Sequence, residues 1–152
     1  TISQNLRPTV LDDLGLEAAF EWYINDFADR HNIEIDYVVG KDNSWEMSMD
    51  RTITAYRFLQ EALTNIRKHA DATSIHIQVK QQADYLMIVV KDNGDGFNPK
   101  QAEDSHGRIP LGIRGMRERL ALSGGELVLH SQIGEGTTVI ALLPLTPSTL
   151  QS

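Results

Sequence analysis

Three polar residues at helical spacing are the first feature of the sequence that could support chemistry. Glu61, Asn65 and Lys68 lie at positions i, i+4 and i+7 of a segment with periodic apolar residues, so one helix face would carry all three, with His69 at its margin. A solvated outer face is the simplest interpretation of such a stripe. The apolar flanks favour a largely buried helix, however, and Asn is a poor helix former. Because amide and carboxylate oxygens suit a hard cation, the stripe is also a candidate magnesium site.

A glycine-rich turn directly after the most apolar segment is the second feature. Residues 92–97 have the sequence Asp-Asn-Gly-Asp-Gly-Phe, and both Asn-Gly and Asp-Gly are common turn dipeptides. The register excludes a calcium-binding loop, because Lys91 stands where the first carboxylate belongs and Ala102 where the closing glutamate belongs. This motif alone leaves open whether the turn is simply structural or binds a ligand.

Glycines also bracket the predicted start of a later helix. Gly107 and Gly112 have the spacing of a phosphate-binding P-loop, but Ile113 follows where that motif requires lysine. The dinucleotide-binding pattern fails as well, because Pro99 follows Gly96 where a third glycine is needed. Backbone N–H groups and the positive end of the helix dipole would still be available to a phosphate at this helix start.

Composition excludes several classes of protein. The chain has 152 residues, 41% of them hydrophobic, which suits one packed domain, and it has no cysteine for disulfides, thiolate zinc sites or nucleophilic catalysis. The longest apolar run is six residues, too short to span a bilayer. A net charge of -7 argues against sequence-independent nucleic-acid binding, and the five histidines lack metal-ligand spacing. Nine of the eleven glycines lie between Gly94 and Gly136, which indicates a stretch that needs bare backbone.

Apolar periodicity predicts the elements that must position these residues. Residues 85–91 are nearly all apolar, which predicts a central strand, and Asp50 is the predicted N-cap of the long helix that carries Glu61 and Asn65. Residues 92–111 have little periodicity and, at about twenty residues, exceed the length of ordinary connections, which is typical of a functional lid. Helices are predicted over 10–30, 50–70 and 111–123, the last closed by Gly124-Gly125, and strands over 33–39, 74–80, 85–91, 127–130 and 137–143.

The order of four motifs resembles one superfamily. The segments QEALTNIRKHA (60–70), DNGDGF (92–97), GIRGMRER (112–119) and GEGTT (134–138) resemble, in order and spacing, the motifs of the ATP-binding domain of GHKL proteins. Within that superfamily the chain resembles the catalytic ATP-binding (HATPase) domain of bacterial two-component sensor histidine kinases of the nitrate-sensor and desaturase-sensor type. The resemblance runs from about Leu6 to Pro144, and its first residues are similar to the segment that leaves the family's dimerisation hairpin.

The resemblance implies a fold and a domain organisation. The fold would be an α/β two-layer sandwich of the Bergerat type, with a mixed sheet of about five strands, helices on one face and a mobile ATP lid at residues 98–111. Residues 1–9 would be the end of the upstream dimerisation segment, residues 10–145 the GHKL ATP-binding catalytic domain, and residues 146–152 a polar tail.

The resemblance also implies roles for individual residues. Asp92 would accept a hydrogen bond from the adenine amino group, and Thr137 would share a water with it. Asn65 would hold the magnesium ion that bridges the phosphates, and Glu61 would orient water or metal, so these two are the implied catalytic and metal-binding residues. The other implied nucleotide contacts are Lys68 and His69 near the phosphate tail, Gly94 and Gly96 under the nucleotide, Gly112 and Gly115 at the phosphates, and Phe97, Ile113 and Met116.

The activity implied by the resemblance is that of a protein-histidine kinase. ATP and Mg²⁺ would be its ligands, and the γ-phosphoryl group would pass to a histidine on the dimerisation domain of a homodimer, then to a response regulator. None of the five histidines matches the accepting one, and Pro110 and Ile113 stand where the family often has glycine and leucine. No nucleic-acid partner is expected, and the domain would be cytoplasmic whether or not the full protein is anchored in a membrane. Two alternatives remain open: a GHKL ATPase with Glu61 as general base, and a non-catalytic nucleotide-binding interaction module.

Overall fold

The computed structural model describes residues 9–41, 43–97 and 113–147, with side chains from residue 14 onward. The predicted lid at 98–111, Gly112, the segment before residue 9 and the last five residues of the tail lie outside these ranges. The described elements are helix α1 (Thr9–His31), strand β1 (Glu34–Val39), helix α2 (Met49–Asn65), a π-helical turn (Ile66–Ala70), strands β2 (Ser74–Gln82) and β3 (Tyr85–Asp92), helix α3 (Ile113–Leu122), and strands β4 (Glu126–Gln132) and β5 (Gly136–Pro144).

The five described strands form one mixed sheet in the order β1-β2-β3-β5-β4. Strand β1 pairs with β2 in parallel, and the other three pairings are antiparallel. The most apolar strand, β3, lies in the middle of the sheet, as its composition predicted. The register that aligns β3 with β5 sets Asp92 opposite Thr137, so the last residue of β3 and the start of β5 meet at one sheet edge.

The described helices cover one face of the sheet. Side chains alternate along β2 and β3 between fully buried and partly exposed, so the buried set faces the helices and the other set faces outward. Leu59 and Leu63 of α2 and Phe20 of α1 join Ile77 and Ile88 of the sheet in one core. This architecture confirms the α/β sandwich with a mixed five-stranded sheet that the sequence predicted.

The long helix departs from the prediction at both ends. Its N-cap is Ser48 rather than Asp50, because the Ser48 side chain accepts the hydrogen bond from the backbone N–H of Arg51 at 3.2 Å. Asp50 lies instead in the first turn. At the other end the α-helix stops at Asn65 and continues as the π-helical turn, which a periodicity of 3.6 residues could not indicate.

Helix α1 is interrupted at Gly15, a residue type with low helix propensity. Gly15 has φ 86° and ψ 178°, which is not a helical conformation, so α1 is two helical pieces joined at this glycine. The apolar side chains of the second piece, Leu16, Phe20, Ile24 and Phe27, are buried in the core.

A polar cluster clamps the start of α2 to the end of α3. The buried Ser123 hydroxyl donates to Asp50 Oδ2 at 2.9 Å and lies 2.8 Å from Thr54 Oγ1, while Arg51 Nε donates to the Ser123 carbonyl at 2.7 Å. Gly124, with φ +83°, ends α3 in the left-handed conformation, as the Gly-Gly pair predicted. This clamp holds α2 and α3 side by side and antiparallel.

Candidate functional site

One open cavity lies between the end of α2, the start of α3 and the sheet edge where β3 meets β5. Its lining is mostly apolar with a few polar side chains, which is the composition typical of small-ligand sites. Eight of the predicted nucleotide contacts line it: Asn65, His69, Asp92, Gly96, Phe97, Ile113, Met116 and Thr137. The remaining lining residues are all apolar: Ala62, Ile66, Ala70, Val90 and Val139.

Asp92 is a buried carboxylate in the wall of this cavity, with only 4% of the residue exposed. The backbone N–H of Gly94 donates to its Oδ1 at 2.8 Å. Burial raises the pKa of Asp92, and hydrogen bonds from the backbone amides of Gly94 and Thr137 oppose that shift by favouring the ionised form. A buried carboxylate has acceptor capacity beyond two such bonds, so Asp92 can receive an N–H donor from a ligand.

The turn after Asp92 is fixed by its own side chain and backbone. Asn93 Oδ1 accepts from the backbone amides of Thr73 and Ser74, both at 3.0 Å. A Cβ on Gly94 would collide with the carbonyl oxygen of Ala70, the same oxygen that accepts the Asp95 amide at 2.7 Å. Glycine at position 94 therefore lets the turn close against the end of the π-helical turn.

Two further glycines allow the backbone to cross beneath the cavity. Gly96 has φ +66°, and a Cβ there would collide with the carbonyl oxygen of Gln132. Gly136 has φ +82°, and a Cβ there would collide with the carbonyl oxygen of Asp92. Any other residue at either position would have a strained backbone at this positive φ. Its Cβ would also push the turn away from the β4-β5 hairpin.

Ser131 joins these strands to the turn, although no sequence motif contains it. Its hydroxyl oxygen accepts the backbone N–H of Phe97 at 2.8 Å and lies 2.8 Å from Thr137 Oγ1. Both partners line the cavity. The serine could have been found only from the β4-β5 register, which sets Ser131 opposite Thr137.

Two side-chain contacts connect α2 with α3 beside the cavity. Asn65 Nδ2 donates to the sulfur of Met116 at 3.9 Å, so both residues meet at the cavity wall. One turn earlier on α2, Glu61 forms a hydrogen-bonded ion pair with Arg119. About a third of each charged side chain is exposed, and Glu61 is not among the residues that line the cavity. Arg119 ends the GIRGMRER motif but is not among the predicted site residues.

The pKa of Glu61 reflects both its surroundings and this partner. Partial burial raises the pKa of Glu61 above its ordinary value, while the charge and hydrogen bond of Arg119, followed by the charge of Arg57, lower it. The burial effect exceeds the others, so the net direction is upward. Glu61 is therefore a carboxylate whose basicity depends on the guanidinium beside it.

The two predicted phosphate contacts after Asn65 are Lys68 and His69. Both lie in the π-helical turn, but only His69 lines the cavity. A π turn contains more residues than an α turn, so it carries the residue at i+3 farther from the face of residue i. Lys68 is exposed and does not line the cavity, whereas His69, also largely exposed, does. The polar stripe of Glu61, Asn65 and Lys68 therefore does not continue as one straight face.

Gly115 is placed by α3 but lies outside the cavity lining. A Cβ at this position would come within 3.3 Å of Arg119 Nη1, so the glycine leaves room for the arginine side chain one turn later. The other predicted glycine of this motif, Gly112, falls outside the residues that the structure describes.

The donors available for a metal ion are few. Among the described residues no three His, Asp or Glu side chains gather in a metal-binding group. Asn65 supplies one hard carbonyl oxygen at the cavity wall. That set fits magnesium, which commonly takes one or two protein oxygens and completes its shell with water and ligand phosphates. It does not fit an ion held by protein ligands alone.

A mixed sheet with helices on one face, a cavity at one sheet edge and a buried carboxylate in its wall define an α/β sandwich with a candidate ligand site. The model of one family, the histidine kinase-, DNA gyrase B- and HSP90-like ATPases, matches residues 50–147. The chain belongs to this family, which confirms the GHKL resemblance inferred from its motifs.

Curated relatives carry the same kind of domain within longer proteins. The chain is 36% identical over 146 residues to the signal transduction histidine-protein kinase/phosphatase DegS of Brevibacillus brevis, covering 95% of this chain and 36% of that protein. It is also 36% identical over 147 residues to the oxygen sensor histidine kinase NreB of Staphylococcus carnosus (strain TM300), covering 95% and 41%. The chain thus spans well under half the length of these relatives.

A solved structure shares the fold. The histidine kinase domain of the blue-light activated histidine kinase of Erythrobacter litoralis EL346 matches with a TM-score of 0.68 at 22% identity, over 86% of this chain and 61% of that one. Within 9–41, 43–97 and 113–147, no helix has the length and hydrophobicity needed to cross a membrane.

Proposed function

We propose that this chain is the ATP-binding catalytic domain of a sensor protein-histidine kinase. The observation that carries the proposal is the cavity itself, which has the buried carboxylate of Asp92 in its wall and the polar side chains of Asn65 and His69 beside the start of α3. The buried carboxylate of Asp92 suits the amine-bearing base of ATP. The polar side chains beside the start of α3 suit its charged phosphate tail. The names of the curated relatives support the kinase assignment.

The base end of the site would select adenine. The ionised Asp92 accepts an N–H donor, and adenine presents such a donor in its exocyclic amino group. Apolar side chains of Ala62, Ile66 and Val139 line the same cavity and would pack against the ring. Thr137 lies next to Asp92 across the β3-β5 pairing and would complete recognition of the base edge.

The phosphate end would lie between α2 and α3. Ile113 is the first described residue of α3, and the backbone amides of a helix start attract phosphate through their free N–H groups and the helix dipole. His69, in the π-helical turn, lines the cavity, and the neighbouring Lys68 is exposed. A magnesium ion held by the Asn65 side-chain oxygen and the phosphates would neutralise charge on the β and γ phosphates.

The reaction would be an in-line phosphoryl transfer. An imidazole nitrogen of a histidine outside this chain forms a bond to the γ-phosphorus while the bond to the bridging oxygen of ADP breaks, and ADP leaves with the electron pair. The acceptor would belong to a dimerisation domain of a homodimer, and a response-regulator aspartate would take the phosphoryl group next. The chain's own residues would contribute mainly position and electrostatics.

The ion pair between Glu61 and Arg119 favours transfer over the ATPase alternative. A general base for water must reach the water beside the γ-phosphate. Glu61 instead hydrogen-bonds Arg119 and does not line the cavity. This arrangement supports a kinase in preference to an enzyme built for hydrolysis.

Labelling the full-length protein tests the proposal. With ATP carrying a labelled γ-phosphate, the wild type should acquire acid-labile, base-stable label, as expected of phosphohistidine. Asn65→Asp should reduce the label by roughly 100-fold, because a carboxylate in place of the amide changes the charge where the phosphates and magnesium must bind. Asn25→Asp makes the same chemical change on the exposed face of α1 and should retain the label. Free phosphate without protein label in the wild type would contradict the kinase proposal.

A further inference from the structure

Arg119 of α3 contacts Glu61, the acidic one of the two predicted catalytic residues. Its guanidinium Nη2 donates to Glu61 Oε2 across the α2-α3 interface, and the two residues are 58 positions apart in the sequence. Both side chains are partly buried, so water screens the pair less than it screens a surface ion pair. The contact is part of how the two helices pack beside the cavity.

The surrounding structure holds this arginine in place. Long side chains of a helix lean back toward its N-terminus, so the Arg119 side chain passes over position 115. A Cβ at position 115 would come within 3.3 Å of Arg119 Nη1, so glycine there leaves the path of the arginine open. At the other end of α3, the clamp of Ser123, Asp50 and Thr54 fixes the helix against α2. Arg119 therefore reaches Glu61 across two helices whose relative position the clamp sets.

The contact changes what Glu61 can do chemically. In ATP hydrolysis a water oxygen would bond to the γ-phosphorus, the bond to the bridging oxygen would break, and the water proton would go to Glu61, giving ADP and inorganic phosphate. A general base must have a free oxygen within reach of the attacking water. Arg119 already donates to Glu61 Oε2, and this contact holds the carboxylate outside the residues that line the cavity.

We infer that Arg119 is a positioning residue that restrains Glu61 from activating water, so that the site favours phosphoryl transfer to histidine over hydrolysis of ATP. The inference rests on the proposed kinase function and concerns the partition of the γ-phosphoryl group between two acceptors. Arg119 itself need not touch the nucleotide, because it acts through the Glu61 carboxylate.

The test compares phosphate release with histidine label in the full-length protein. Arg119→Gln removes the charge and should raise release of inorganic phosphate roughly tenfold per bound ATP, because the freed Glu61 becomes an effective general base. Adding Glu61→Gln to Arg119→Gln should return phosphate release to the wild-type level or below.

Two further variants keep the result interpretable. Arg117→Gln makes the same change at an exposed position of α3 and should leave both readouts as in the wild type. Arg119→Lys keeps the charge but loses the planar fork, so phosphate release should rise by about twofold to threefold even if Arg119→Gln folds poorly. Unchanged or slower phosphate release in folded Arg119 variants that bind ATP normally would overturn the inference.

The kinase proposal can fail separately. Wild-type protein without histidine label contradicts the kinase, whatever the variants do. In that case, a rise in phosphate release in Arg119→Gln that depends on Glu61 would still support control of the Glu61 carboxylate by Arg119. The controlled reaction would then be ATP hydrolysis and not phosphoryl transfer.

Discussion

The two ends of the cavity are built in different ways. At the sheet edge, Asp92, Gly94, Gly96 and Gly136 are fixed by backbone hydrogen bonds and by glycines that have no room for a Cβ. Between α2 and α3, the contacts are made by side chains, such as the long Asn65-Met116 contact and the Glu61-Arg119 ion pair. The first end is therefore fixed mainly by the backbone, whereas the position of the second depends on side-chain rotamers as well.

Gly96→Ala should have the largest effect. The new methyl group would collide with the Gln132 carbonyl and hold a residue at φ +66°, so we expect a loss of about 3–5 kcal/mol in the free energy of unfolding and no measurable ATP binding. Gly134→Ala is the matched control, since its φ is +84° but nothing lies within 4 Å of the added Cβ. It should cost only about 1–2 kcal/mol by chemical denaturation. Equal losses in both variants would show that the backbone crossing is not the constraint.

Asp92→Asn should reduce ATP affinity by about 100-fold without unfolding the domain. The amides of Gly94 and Thr137 need an acceptor, so the Asn oxygen would stay with them and its NH₂ group would face the cavity. Two donors would then oppose each other at the adenine amino group.

The same variant should change the choice of base. Inosine triphosphate carries a carbonyl oxygen where ATP carries the amino group, so Asp92→Asn should prefer inosine triphosphate to ATP in calorimetric titrations. Asp95→Asn, an exposed change in the same turn, should keep the wild-type preference. If Asp92→Asn binds ATP as tightly as the wild type, the adenine assignment is wrong.

Ser131→Ala should have an intermediate effect. It leaves the Phe97 amide without its acceptor and removes the contact with Thr137, which we expect to cost about 1–2 kcal/mol of stability and several-fold in ATP affinity. Ser74→Ala, at another half-buried strand serine, should change ATP affinity little. Loss of affinity in the Ser74 variant but not in Ser131→Ala would remove Ser131 from the site.

Met116→Leu should have the smallest effect. The two side chains have similar volumes, so the substitution should cost less than about 1.5 kcal/mol and change ATP affinity by about twofold or less. Only the weak contact with Asn65 is lost. A loss of binding as large as that of Asp92→Asn would mean that the helix side of the cavity is as rigid as the sheet edge.

Much of the fold could be predicted because it depends on local patterns. Alternating apolar residues identified the strands, and an almost wholly apolar segment identified the central one, β3. The Gly124-Gly125 pair marked the end of α3. The N-cap was wrong by two residues because Ser48 and Asp50 are both good capping residues, and only the backbone geometry decides between them. The π-helical turn has no comparable sequence signal.

The site was predictable where a motif is contiguous and not where it depends on tertiary contacts. Asp92 and the glycines after it form one short segment whose composition already indicated a special turn. Arg119 meets Glu61 across 58 positions, and Ser131 meets Phe97 across 34, so spacing along the chain could not pair them. Lys68 was predicted beside Asn65 from α-helical geometry, which the π-helical turn alters.

The clamp at Ser123 gives α3 the properties of a lever. Its ten residues rise about 15 Å from a pivot at Ser123 to Ile113, the end that lines the cavity, and Arg119 lies only about 6 Å from that pivot. A rotation that moves Ile113 by about 3 Å therefore moves Arg119 by only about 1 Å. The position of the Glu61-Arg119 pair, close to Ser123, is therefore less sensitive to a tilt of α3 than the cavity wall at Ile113 is.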